Sequence, residues 1–125
     1  MSDTITTHPI RVLIVDDSDD QRHLLRRHFE MAGCDVDDAE SAESALSAYS
    51  ANTPDLVVID LILPGMTGWE LANRIREDQP DCSIVITSVL DTEDYPQASA
   101  NLPKPVTGAS VRDVLRRCLP EWTTP

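Results

Sequence analysis

No apolar run in the sequence exceeds about four residues; Val12–Val15 and Leu56–Ile59 are among the longest. Neither approaches the ~20 residues that a helix needs to cross a bilayer, so a membrane-spanning protein is excluded. Basic side chains are scarce as well. Ten Lys+Arg stand against 22 Asp+Glu, for a net charge of −12, which argues against nucleic acid or an anionic membrane as partner. Cysteine is sparse and odd in number, with Cys34, Cys82 and Cys118 far apart. That excludes a disulfide scaffold and suits small buried thiols in a reducing compartment. Met1–Pro9 carries neither the basic cluster nor the hydrophobic segment of a secretory leader, so the expected location is cytoplasmic. There is no repeat, low-complexity tract or break in composition. The 125 residues suit one domain, long enough to bury roughly two-thirds of its unfolded surface. Residues 1–8 read as a flexible N-terminus, 9–120 as the folded domain and 121–125 as a C-terminal tail.

What is present alternates. Ile10–Val15, Asp55–Ile59 and Ser83–Thr87 are rich in Val and Ile without polar alternation, the pattern of parallel strands covered on both faces. Helical periodicity lies between them. Asp19–Met31 offers Leu24, Leu25, His28 and Met31/Ala32 as one face, with Gly33 placed to close it. Ser41–Ser50 offers Ala42, Ala45, Leu46 and Tyr49, with Ser41 as N-cap; Trp69–Glu77 offers Leu71, Ala72 and Ile75. Thr107 is placed to cap a last helix whose Val111, Val114, Leu115, Cys118 and Leu119 form one stripe. Two more polar strands, Cys34–Asp38 and a short one at Asn101–Leu102 before Pro103, suit the sheet's edges. The expected fold is therefore α/β: a flavodoxin-like, doubly wound, five-stranded parallel sheet in the order 2-1-3-4-5.

Such sheets bind ligands beyond the carboxyl ends of their strands, where the strand order reverses. The first and third strands end there in Asp16, Asp17 and Asp60. At ~5 Å and an effective dielectric of about 20, each like-charge pair costs on the order of 3 kcal/mol. A hard, oxygen-ligated Mg²⁺ would offset that repulsion. A second cation is at hand: Lys104, the only lysine of the chain, stands between Pro103 and Pro105 at the end of the fifth strand. Its ammonium can meet a carboxylate at rest and a phosphoryl oxygen later. Thr87, ending the fourth strand, adds a hydroxyl. Singly, each residue has a plainer explanation, such as a helix-start acid or a strand threonine; their shared place at the strand ends favours a site.

In VLIVDDS (Val12–Ser18), LVVIDLILPGMTGWEL (Leu56–Leu71), IVITS (Ile84–Ser88) and LPKPV (Leu102–Val106), the sequence resembles the receiver domains of two-component response regulators. The resemblance runs from Ile10 to Leu119. It implies that Asp60 accepts a phosphoryl group from the phosphohistidine of a histidine kinase or histidine phosphotransfer protein. Asp17 and Asp60 would hold Mg²⁺ directly, Asp16 mainly through water, and Ile62 through its main-chain carbonyl. Thr87 and Lys104 would bind phosphoryl oxygens, and the peptide bond before Pro105 would be cis. The implied role is signalling by conformational change or phosphorelay, with no enzymatic activity beyond its own phosphorylation and dephosphorylation. Two departures stand out. Only 17 positions separate Thr87 from Lys104, so the fourth helix of the family should be short or missing. Asn101 occupies the place where the family usually has Tyr or Phe, which puts signalling by an aromatic swing in question.

Rival readings fare less well. A flavin carrier would have to place a phosphate against the run Asp16-Asp17-Ser18-Asp19-Asp20, and a haloacid-dehalogenase-type phosphatase would need an acid where Ile62 stands. The alternative with most weight is a degenerate receiver that binds partners without phosphorylation, although no acid, Thr or Lys of the set is lost. A basic patch at Arg22, Arg26 and Arg27 on the first helix, with Leu25 partly exposed among them, is the expected docking face for the phosphodonor protein.

Overall fold

Val and Ile dominate the three central strands because both faces of each must be covered. The computed structural model describes residues 9–51, 53–87 and 99–123. Its elements are β1 (Arg11–Val15), α1 (Asp19–Met31), β2 (Asp35–Ala39), α2 (Ala42–Ala51), β3 (Leu56–Asp60), α3 (Gly68–Asp78), β4 (Ser83–Thr87), β5 (Ala100–Asn101) and α4 (Gly108–Cys118). All strand pairs are parallel and their order is β2-β1-β3-β4-β5. The flavodoxin-like sheet expected from the sequence is thus observed, with most boundaries displaced by a residue. The expected short or missing fourth helix falls on residues 88–98, outside the described residues.

Successive strand residues face opposite layers. Val12 and Ile14 of β1, Val58 of β3 and Val85 of β4 pack with Leu25 and Phe29 of α1 and Val111, Val114 and Leu115 of α4. Leu13, Val15, Val57, Ile59, Ile84 and Ile86 pack with Ala42 and Ala45 of α2 and Leu71, Ala72 and Ile75 of α3. Helix starts are set by short side chains. Ser18 accepts the Gln21 N–H, and Thr67–Glu70 and Thr107–Ser110 form reciprocal capping boxes. Gly33, at φ 87°, leaves α1 through the left-handed conformation expected of it.

Two expectations are corrected. The buried stripe of α1 is Leu25, Phe29 and Ala32, while Leu24 (38% exposed) and Met31 (70%) face outward. The large Phe29 ring, fully buried, settles the rotation: placing it against the sheet turns its neighbours away. The tail is not loose at Trp122, which is buried in the α1–α4 layer. Its indole N–H donates to the Ala32 carbonyl at 2.8 Å, satisfying a group that the end of α1 leaves without a helical donor.

Candidate functional site

The strand order reverses between β1 and β3, and the crevice above their carboxyl ends is acidic. Asp16 follows β1 directly. Asp60 is the last residue of β3 and lies in register with Thr87, the last of β4. Asp16 is fully buried, Asp60 nearly so, and Asp17 is exposed. One carboxylate oxygen from each of Asp16, Asp17 and Asp60 lies within 4.8 Å of the others.

Lys104 reaches this cluster from beyond β5. Its Nζ donates to Asp16 Oδ2 at 3.1 Å and to Asp60 Oδ2 at 3.0 Å. The other oxygens are held by the main chain: Asp16 Oδ1 accepts the Ser18 N–H at 2.9 Å and Asp60 Oδ1 accepts the Ile62 N–H at 3.0 Å. Burial pushes the Asp60 carboxyl above its ordinary range; the Ile62 N–H and Lys104 pull it back without cancelling that effect, and the Asp16 charge adds to it. Burial works against the Lys104 ammonium too, but its bond to Asp60 and the fields of both acids outweigh this, so its pKa is raised. The lysine is therefore fully charged at neutral pH. The Thr87 hydroxyl is fully buried and has no hydrogen-bond partner among the described residues. Such an orphan costs roughly 1–3 kcal/mol and is ready to donate to an incoming oxyanion.

The loop after Asp60 approaches the site through backbone rather than side chains. A Cβ on Gly68 would lie 2.5 Å from the Asp60 carbonyl oxygen, and Gly65 has φ +72°, so both positions need glycine. The Glu43 carboxylate of α2 accepts the Met66 N–H at 3.4 Å, tying that loop to the neighbouring helix. The Ile62 side chain is 54% exposed. The Lys104–Pro105 peptide bond is cis. Asn101 sits exposed on β5 opposite Ile86. The donor set is all oxygen, with one exposed carboxylate beside two buried ones. That set fits a small hard divalent cation such as Mg²⁺ and offers no thiol or imidazole to a softer metal.

The first helix departs from expectation. Leu25 is fully buried. Arg22 and Arg26 face inward to Asp38 of β2, with Arg26 Nη1 2.9 Å from Asp38 Oδ2 and Arg22 Nε 3.9 Å from Asp38 Oδ1. The outward residues, Leu24, Arg27, His28 and Met31, line a groove of about 520 Å³ with Ala32 and, from α4, Gly108 and Arg112. The Arg22 contacts and this groove were not legible in the sequence, because a one-residue rotation of α1 decides both.

Comparisons with known proteins agree with this geometry. The family model for the response regulator receiver domain matches residues 12–114. The response regulator MprA of Mycobacterium sp. (strain KMS) is 32% identical over 123 residues, covering 90% of this chain and 54% of that protein. A cyclic di-GMP phosphodiesterase of Thermotoga maritima is 36% identical over 83 residues, covering 66% of this chain and 22% of its own length. The chain thus spans about half the length of the MprA relatives. Among solved structures, the chemotaxis protein CheY4 of Vibrio cholerae superposes with a TM-score of 0.83 at 25% identity, covering 90% of this chain and all of its own. The response regulator TrrA of Thermotoga maritima, in complex with Mg²⁺-BeF, gives 0.81 at 28% identity over 88% of this chain and 99% of its own.

Proposed function

Because the chain belongs to the response regulator receiver domain family, a signalling module of two-component systems, we propose that Asp60 accepts a phosphoryl group from a phosphohistidine. One Asp60 oxygen attacks phosphorus in line, the P–O bond forms as the P–N bond breaks, and the imidazole leaves with the electron pair. Lys104, already 3.0 Å from Asp60, passes to a phosphoryl oxygen as the carboxylate loses its charge to the acyl phosphate. The orphaned Thr87 hydroxyl donates to another. Asp17, Asp60 and the Ile62 carbonyl would hold Mg²⁺ directly and Asp16 would do so through water; when bound, the ion would supply neutralisation of charge on the phosphoryl oxygens. The observation that carries this reading is the lysine bridge between two buried acids beside an unpartnered threonine hydroxyl. It is an electrostatic cradle already assembled around the place where charge develops.

The phosphodonor would be a histidine kinase or histidine phosphotransfer protein in the cytoplasm. The groove between α1 and α4 supports docking there: exposed Leu24 and Met31 line it together with Arg27 and Arg112, a cationic and apolar surface on an acidic protein. Output follows by conformational change or by passing the group onward, and water returns Asp60 to its free form. Acetyl phosphate with Mg²⁺ tests the chemistry. Wild type should take up one phosphoryl group per chain and Asp60→Asn none. Labelling of Asp60→Asn would move the acceptor elsewhere, while no labelling of folded wild type by small donors or by a histidine partner would leave a binding module without phosphorylation.

A further inference from the structure

Among the described residues, one cation besides Lys104 touches the acid cluster, and it does so through the backbone. Arg22 Nη1 donates to the Asp16 carbonyl at 2.9 Å. That oxygen belongs to the peptide joining Asp16 to Asp17. The guanidinium is itself fixed: Nη2 is bonded to the Asp19 carboxylate, Nε faces Asp38, and the side chain is only 13% exposed. Asp38 is held in turn by Arg26. On the other side, the Asp16 N–H donates to Ala39 at 3.1 Å, and the Asp16 carboxylate is committed to Ser18 and Lys104. Asp16 thus has both main-chain groups and both carboxylate oxygens engaged. Asp17 is exposed, and its backbone nitrogen belongs to the peptide plane that Arg22 holds.

We infer that Arg22 is a positioning residue: by holding the Asp16–Asp17 peptide from α1, it aims Asp17 at the cation site shared with Asp60. The inference rests on the proposed metal-assisted function and adds to it the residue that orders the exposed carboxylate of the cluster. Through-space electrostatics and positioning make opposite demands. Removing a positive charge near three acids should tighten binding of a divalent cation, whereas releasing the peptide should weaken it. Outer partners of ligands typically contribute 10–100-fold to metal affinity, so positioning wins if the contact acts as inferred.

Titration calorimetry with MgCl₂ decides between them, with thermal scans as the folding check. Arg22→Met should bind Mg²⁺ about tenfold more weakly than wild type, and its Mg²⁺-induced rise in Tm should shrink accordingly. Arg26→Met removes the same charge and a bond to Asp38 but does not touch Asp16; it should bind as tightly as wild type or tighter. Equal or tighter binding by Arg22→Met, or an equal loss in Arg26→Met, overturns the role of the carbonyl contact. Should Arg22→Met fail to fold, Arg22→Gln is read the same way, since the shorter amide cannot span the three contacts. Wild type that ignores Mg²⁺ would instead overturn the metal-assisted reading of the site.

Discussion

Asp60 is asked to do two incompatible things, to be buried and to be ionised, and the conflict is measurable. A carboxyl whose pKa is raised on folding costs stability while ionised. That cost is full at neutral pH and disappears as pH falls through the raised value toward the ordinary 3.8. Lys104 keeps Asp16 as a partner when Asp60 is neutralised, so the burial of Asp60 decides the sign. Asp60→Asn should therefore raise Tm at pH 7, and the difference should close as pH falls toward the ordinary carboxyl range. A lower Tm at pH 7 would mean that the Lys104 bridge stabilises more than burial costs. Thr87 carries the same conflict in neutral form. Thr87→Val keeps the shape and removes an orphaned hydroxyl, so unfolding in urea should become harder by roughly 1–2 kcal/mol. Accumulation of the phosphorylated form should nonetheless fall. A variant that is destabilised would show that the hydroxyl is already satisfied.

The elements around these residues are held in place by contacts of very different legibility. Local ones could be read in advance: Ser41 and Thr107 as caps and Gly33 as a helix exit are decided within a few residues. The strand-end acids, Thr87 and Lys104 were legible because a parallel sheet brings strand ends together whatever its details. The face of α1 was not, since Leu24-Leu25 and His28-Phe29 offer two neighbouring stripes and only the sheet chooses between them. Nor was Trp122, whose partner Ala32 lies 90 positions away. Two substitutions test the long-range contacts. Trp122→Phe keeps an aromatic side chain but loses the bond to the end of α1 and part of the buried ring, and should cost at least about 1 kcal/mol; no loss would mean that neither the donor nor the larger ring contributes. Gly68→Ala places a methyl 2.5 Å from the Asp60 carbonyl. Either α3 or the loop after Asp60 must shift, so both stability and the rate of the proposed phosphoryl uptake from acetyl phosphate should fall. A change in neither would show that the close approach is relaxed in solution.

Taken as a whole, the molecule spends its charge asymmetrically. Its net charge is −12, the acid cluster is open at one end of the sheet, and α1 sorts its arginines into two groups. Arg22 and Arg26 face inward to Asp38 and brace β2. Arg27 stands exposed on the groove, which Arg112 of α4 lines as well, together with Leu24 and Met31. Gly108, the first residue of α4 and four residues past Lys104, lines the same groove. Such a local reversal of sign on an acidic protein would draw the proposed phosphodonor. It steers encounter in one orientation, while the remaining surface repels other acidic proteins. Charge reversal at Arg27 and Arg112 together should therefore slow transfer from a histidine phosphodonor protein by tenfold or more, the order expected when steering is lost. The effect should shrink as salt is raised. Neither residue touches Asp60, so uptake from acetyl phosphate should be unaffected and Tm nearly so. The earlier candidates, Arg22 and Arg26, behave differently under reversal, because a glutamate there faces Asp38: they should lose stability and slow both donors alike. Single-turnover transfer from partner and small donor, compared for the two pairs, separates docking from bracing. If the Arg27–Arg112 pair slows both donors equally with Tm intact, the groove is not where the partner sits.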